Sequence, residues 1–249
     1  MKIYLIVKTK FIIILFFSTF FSCNLLSHHK IYSPRVDEGR RSLEWRGHFD
    51  IDKNYLKNKS HHHVFETEYS WTNFWQSEIE LHISDKSTTP LNWEKTEFQN
   101  QLQIVDKNDF AAALYFSYNF VSEGENADEI EYKYLNEINN SFLRLTTNFI
   151  FEKQVGPNSS GGTEFSFSNY LFFDIPIIQG IKAGLIGFSE LGYIRNFNVF
   201  SKQEHHYGIQ FEKDIETADK NFEISIGYLN GISYSSSNHK FIWNTEIEF

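Results

Sequence analysis

A closed antiparallel transmembrane β-barrel of about twelve strands is the fold class that this all-β sequence predicts, and three observations predict it. Bulky apolar residues fall on every second position through most of the chain. The last such stretch, Phe241 to Phe249, stops on an aromatic. Finally, the alternating segments are joined by short and long connections in turn, as in barrels with tight periplasmic turns and longer outer loops. Ten strands is the alternative count.

Composition agrees once the two faces of a strand are separated. Mean hydropathy is only −0.40, but lipid-facing and lumen-facing residues cancel in any window average. The body of the chain has no run of about 20 apolar residues such as a membrane helix needs. Aromatics make up 18% of the 249 residues, against 4 Pro, and aromatics suit strands and interfacial girdles. Nothing reads as a linker between two domains, so one barrel is expected over residues 42–249, after a lead-in of residues 28–41.

The N-terminus reads as an export signal. Lys2, Lys8 and Lys10 precede the apolar run Phe11 to Phe21, a positive region and an apolar core of secretory length. Residues 1–27 form this signal segment, with Ser22 and Ser27 the small residues available near its end. Cys23 is the sole cysteine, so no intramolecular disulfide can form. Phe20-Phe-Ser-Cys23 resembles a lipoprotein cleavage box without its leading leucine; Cys23 is either lipidated or lost with the signal.

The strands follow in order. In Leu43 to Ile51, Leu43, Trp45, Phe49 and Ile51 oppose Glu44, Arg46, His48 and Asp50. Val64 to Trp71 and Phe74 to Ile83 set Phe65, Tyr69, Trp75, Ile79 and Leu81 against Glu66, Glu68, Glu78, Glu80 and His82. Leu91 to Val105 alternates Phe98, Leu102 and Ile104 with Glu97, Gln99, Gln101 and Gln103, and Phe110 to Val121 has the most regular apolar face. The remaining segments are 129–139, 142–154, 164–175, 181–195, 203–213, 222–230 and 240–249. Within the first of these the phase changes near Leu135, and Ile130, Tyr134, Leu135 and Ile138 also fit helical spacing.

If the first strand runs outward, the outer loops are 52–63, 84–90, 122–128, 155–163, 196–202 and 231–239. These hold the Gly, Ser, Asn and Pro clusters, among them Gly156 to Gly162. The other connections are tight except 214–221. Trp45, Trp71, Trp75 and Trp243 share the outward set, and several lie near strand ends.

Function has to come from the inward face. Glu44, Glu66, Glu68, Glu78, Glu80, Glu97, Glu152, Glu190, Glu212, Glu246 and Glu248 are the expected lumenal carboxylates, with Arg46, Arg144 and Lys182 as the main lumenal cations. A wet bore of this kind favours cations; cross-strand charge pairs that brace the wall are the alternative role for individual residues. A passive channel or transporter for small solutes is the expected activity.

Histidines cluster toward the outer half: His48, His61, His62, His63, His82, His205, His206 and His239. Imidazoles bind divalent transition metals, and His48, His82, His206 and His239 are the candidate ligands, with the first and last strands adjacent at closure. Ordinary loop histidines are the alternative, since no fixed spacing such as H-E-x-x-H occurs. An outer-membrane lipid hydrolase is a second alternative. It needs Ser beside His at the rim, and no G-x-S-x-G elbow exists; Ser189 and Ser233 lack flanking glycines. No catalytic residue or resident cofactor is assigned.

Three stretches carry a resemblance: Tyr32-Ser-Pro-Arg-Val-Asp-Glu-Gly39, Leu43-Glu-Trp-Arg-Gly-His48 and Glu68-Tyr-Ser-Trp-Thr-Asn-Phe-Trp75. Residues 32 to 100 resemble the start of transporter-like barrels of the phenol-degradation MetA-pathway group, with Ser70 and Trp71 in place of a Gly-Val pair and Asn73 in place of Asp. The resemblance implies an outer-membrane barrel of a Gram-negative bacterium moving small or hydrophobic molecules. Expected partners are outer-membrane lipids, the barrel-assembly machinery acting on the strand that ends at Phe249, and small solutes. A net charge of −9 argues against nucleic acid.

Overall fold

The computed structural model describes residues 29–85, 90–122, 127–178, 180–217 and 220–249; the side chains of 174–178 are not described. The signal segment and Cys23 therefore lie outside the described residues. Twelve strands form the wall: β1 (Arg41–Ile51), β2 (His61–Thr72), β3 (Trp75–Asp85), β4 (Asn92–Asp106), β5 (Phe110–Val121) and β6 (Asp128–Asn139). The second half adds β7 (Leu143–Val155), β8 (Thr163–Ile178), β9 (Ile181–Tyr193), β10 (Glu204–Glu216), β11 (Asn221–Gly231) and β12 (His239–Glu248).

Every strand pairs antiparallel with its sequence neighbours, and β1 pairs with β12, so the sheet closes. Closure leaves no unpaired edge, which is what a strand surrounded by hydrocarbon requires. The two-residue rhythm becomes two surfaces. Phe65, Ile79, Leu81, Phe98, Leu102, Leu114 and Phe116 are exposed on the outside. Glu66, Glu78, Glu80, Glu97, Gln99 and Ser117 are buried inside.

Two features of the sequence reading are corrected. β6 is a strand throughout, without a change of phase: Glu131, Lys133, Leu135 and Glu137 all face inward and are buried. Leu135 is apolar because it packs against Tyr32, Ala113 and Tyr115 inside the bore. The connection after β10 also obeys the short-turn rule, because β10 runs on to Glu216 and β11 starts at Asn221. At that turn, the Thr217 N–H donates to the Lys220 carbonyl at 2.9 Å.

Among the described residues before β1, 29–36 lie inside the barrel. Asp37 to Arg40 forms a turn closed by an N–H···O bond from Arg40 to Asp37 of 3.1 Å, with Gly39 at φ +80°. That conformation suits glycine at the third position of a type II turn. The turn reverses the chain, so that residues 29–36 run up the inside of the barrel from the end that carries the short turns.

Candidate functional site

One row of the wall dominates the bore. Strand register sets Glu223 opposite Glu246, Glu246 opposite Glu44, Glu44 opposite Glu66, Glu66 opposite Glu80 and Glu80 opposite Glu97. Six carboxylates thus stand side by side on β11, β12, β1, β2, β3 and β4. Like charges directly opposite destabilise a sheet unless cations neutralise them.

Those cations come from two sources. Arg46 in the wall reaches Glu44 and Glu66 at 2.5 Å and Glu80 at 2.6 Å. Lys95, also in the wall, lies 3.7 Å from Glu97, and the others come from the lead-in. Lys30 Nζ lies 2.6 Å from Glu66, 3.2 Å from Glu44 and 3.9 Å from Glu78. At the short-turn mouth, Arg40 contacts Glu246 at 2.5 Å, Glu68 at 3.2 Å and Glu248 at 3.5 Å. Burial opposes the charge on Lys30, but Glu44, Glu66 and Glu78 outweigh it and hold the ammonium well above the ordinary lysine range.

The backbone of the segment is held as well. Asn148 accepts the Tyr32 N–H at 2.7 Å and donates to the Tyr32 carbonyl at 2.9 Å. Gln103 accepts the Val36 N–H at 2.8 Å, and Gln101 donates to the Ser33 carbonyl at 3.0 Å. The Tyr32 hydroxyl donates to Glu80 at 2.9 Å, and Lys133 Nζ sits 3.9 Å from its ring centroid. Arg35 spans Glu137 and Asp106, each at 2.8 Å.

The rest of the bore is less polar than the alternation suggested. Tyr170, Phe172, Ile186, Phe188, Leu229 and Ile242 form a buried cluster on β8, β9, β11 and β12, and Ile31 of the segment packs on it. Beside the segment a cavity of about 230 Å³ remains, its lining including Arg40, Glu68, Arg144, Glu212, Glu223 and Glu246. The bore therefore has an acidic wall, an apolar wall and a peptide between them.

Among the residues expected from sequence, Glu44, Arg46, His48, Glu66, Glu68, Glu78, Glu80, His82 and Glu97 are buried on the inward face. Arg144 and Glu246 border the cavity, and Arg144 lies 4.8 Å above the Phe172 ring. Glu190 is half-buried on β9, opposite Glu204 and Ser166. Lys95, Lys133 and Lys240 are further inward cations, paired with Glu97, Glu131 and Asp50 at 3.7, 2.7 and 3.3 Å. They were missed because a lysine on a strand is ordinarily assigned to the water-exposed ends.

The histidines divide between the two faces. His48, His62, His82 and His206 are buried on the inside. His239 lies on the outer face, where its ring bonds the Tyr228 hydroxyl at 2.6 Å, so it is in the same sector as His48 but on the opposite side of the wall. That parity was readable: His239 is an odd residue on a strand whose even residues face inward. His62 was placed in a loop, whereas β2 begins at His61. His63 faces outward between Trp45 and Trp243, with ring centroids 6.1 and 5.6 Å away.

A Ser–His contact also exists on the outer face. His205 Nδ1 lies 3.0 Å from Ser189 Oγ, and His205 Nε2 lies 2.8 Å from Gln203 Oε1. Ser189 is further bonded to the Tyr207 hydroxyl at 2.7 Å, and Phe200 stacks on His205.

No family model and no curated protein matches the chain. Solved structures do. The NanC porin is similar with a TM-score of 0.58 at 12% identity, over 83% of this chain and 98% of the porin. An outer membrane channel from Pseudomonas putida F1 gives 0.54 at 10% identity, over 92% and 100%. The KdgM porin gives 0.52 at 8% identity, over 84% and 98%. At these identities the likeness concerns the fold.

Proposed function

We propose that this chain is an outer-membrane channel for small solutes, favouring cations, whose bore is closed by its own residues 29–36. The carrying observation is the row of six glutamates, neutralised in part by Lys30 and Arg40 of the lead-in. A wall of this charge attracts cations into a low-dielectric bore, and the segment supplies a tethered cation in their place. The aromatic and aliphatic exterior, the short turns at one end and the longer loops at the other fit an outer-membrane setting with the short turns toward the periplasm. Phe249, exposed at that rim, is the feature the barrel-assembly machinery would engage. The resemblance of residues 32–100 to MetA-pathway transporter-like barrels supports the same reading, as does the porin-like fold.

Planar-bilayer conductance tests it. The intact chain should stay closed or conduct rarely, and a chain lacking residues 29–36 should conduct steadily with cations preferred. A deleted barrel that remains closed, or that prefers anions, overturns the proposal.

A second reading rests on Ser189, His205 and Gln203. A serine hydroxyl beside an imidazole that is itself oriented by an amide is the arrangement of a hydrolytic nucleophile and base, here on the lipid side. The Tyr207 bond and the Phe200 cover favour a structural brace. Phospholipid hydrolysis by the purified barrel, lost in Ser189→Ala, would instead establish the enzyme.

A further inference from the structure

The upper bore, toward the long loops, contains a histidine cluster that the channel reading does not use. His29, the first described residue of the segment, packs with its ring centroid 4.6 Å from His48 and 6.1 Å from His206. His48 in turn lies 5.4 Å from His62. Both ring nitrogens of His29 are shielded from solvent and have no hydrogen-bond partner among the described residues. A buried polar group without a partner is costly and calls for an explanation.

We propose that His29, His48 and His62, flanked by His206, bind one divalent transition-metal ion of the zinc class, and that the ion fastens the N-terminal segment to the barrel wall. First, zinc–nitrogen bonds of about 2.0–2.1 Å put ring centroids about 3.2 Å from the ion and about 5 Å from one another in a tetrahedral site. The observed separations of 4.6, 5.4 and 6.1 Å bracket that spacing. Second, His29, His48 and His62 with Arg46, Gly47 and Val64 line a cavity of about 10 Å³, room for one particle the size of a water molecule.

Third, the surroundings are those of metal-ligating imidazoles, whose second nitrogen faces a carboxylate or another acceptor. His48 Nε2 is 3.6 Å from Asp50, and His62 Nε2 is 3.6 Å from Glu94. His82 stands behind His62: its Nδ1 lies 3.3 Å from His62 Nε2, and its own Nε2 lies 2.8 Å from Glu80. His206 Nε2 is occupied by Ser237 Oγ at 3.0 Å. With Nε2 so engaged in His48 and His62, Nδ1 is the nitrogen that each can offer the ion. The cations facing the cluster are already engaged: Lys240 pairs with Asp50, Lys95 with Glu97 and Arg46 with three glutamates, and Lys57 donates to the Ser235 carbonyl. Imidazole nitrogens select zinc, copper or nickel over calcium or magnesium.

The test is titration of the folded barrel in detergent with Zn²⁺ by calorimetry, and with Co²⁺ by visible absorption. One ion per chain is expected, with affinity reduced roughly tenfold or more in His29→Ala and in His48→Ala, and unchanged in the outward-facing His239→Ala. His29 is not part of the wall, so His29→Ala answers the question even if His48→Ala fails to fold. Absence of saturable binding overturns the proposal, as does binding that survives both substitutions. Ligand atoms of Glu80, His82 and Glu97 lie within 4.8 Å of one another, so binding that survives them but falls in Glu97→Gln would place the ion there instead. Because the readout is binding, it stands apart from the conductance test of the channel.

Discussion

Asn148 on β7 grips Tyr32 by both of its backbone polar groups, accepting its N–H at 2.7 Å and donating to its carbonyl at 2.9 Å, although 116 residues separate them. A single side-chain amide thereby does for an isolated peptide unit what a neighbouring strand would do. Asn148→Ala should weaken docking of the segment by about 1–3 kcal/mol, from two lost bonds of about 0.5–1.5 kcal/mol each. The check is the modification rate of a cysteine at Val36, which is 6% exposed when docked. That rate should rise about five- to hundredfold in Asn148→Ala; an unchanged rate would mean that the clamp is dispensable.

Acid should release the segment. Burial, followed by the charge of Lys240 and the neighbouring rings of His48, His206 and His62, holds the His29 ring well below the ordinary histidine range of about 6.5. The undocked segment therefore binds more protons at low pH than the docked one. Docking is fully supported above the free histidine pKa and is lost as pH falls below it. Conductance of the intact chain should increase from pH 7.5 to pH 5, and His29→Phe should flatten that dependence.

Arg46 in the wall is shared by three buried carboxylates. Arg46→Ala leaves Glu44, Glu66 and Glu80 crowded on adjacent strands, with Lys30 beside the first two and the His82 ring and Tyr32 hydroxyl bonded to the third. Removing one partner from a buried ion cluster costs about 3–5 kcal/mol. The denaturation midpoint of the barrel in lipid or detergent should drop accordingly, while Arg46→Lys, which keeps the charge but not the planar fork, should fall between.

Selectivity should depend on the glutamate row. In a barrel lacking residues 29–36, Glu66→Gln with Glu80→Gln removes two adjacent negative charges from the wall. The cation-to-anion permeability ratio, read from reversal potentials in a salt gradient, should decline toward unity. Retention of the full ratio would move selectivity away from Glu66 and Glu80, for example to the far end of the row, where oxygens of Glu223, Glu212 and Asp214 converge within 4.8 Å.

The wall was legible in the sequence because a period of two is local: each strand announces its faces without reference to its partners. The same period gives the inward glutamates of the row except Glu223, while their alignment across six strands is set by strand register. The inward Leu135, by contrast, broke the pattern because its partner is Tyr32, a residue outside the wall. The lead-in itself was opaque. It has no periodicity, and its contacts span 36 residues from Lys30 to Glu66 and 102 from Arg35 to Glu137. His62 was missed for a smaller reason: three consecutive histidines beside a loop resemble loop, although β2 starts at the first of them.

The glycine turn at Asp37 to Arg40 has a further consequence, for competition. From Gly39 to Lys30 the chain is about ten residues, at most about 35 Å when extended, close to the depth of a bilayer's hydrocarbon core. Once released, the lysine stays within that radius of the turn, at an effective concentration of order millimolar at its seat. A free solute that is to keep the bore open must therefore either be abundant at that level or bind the glutamates more tightly than one ammonium on a leash.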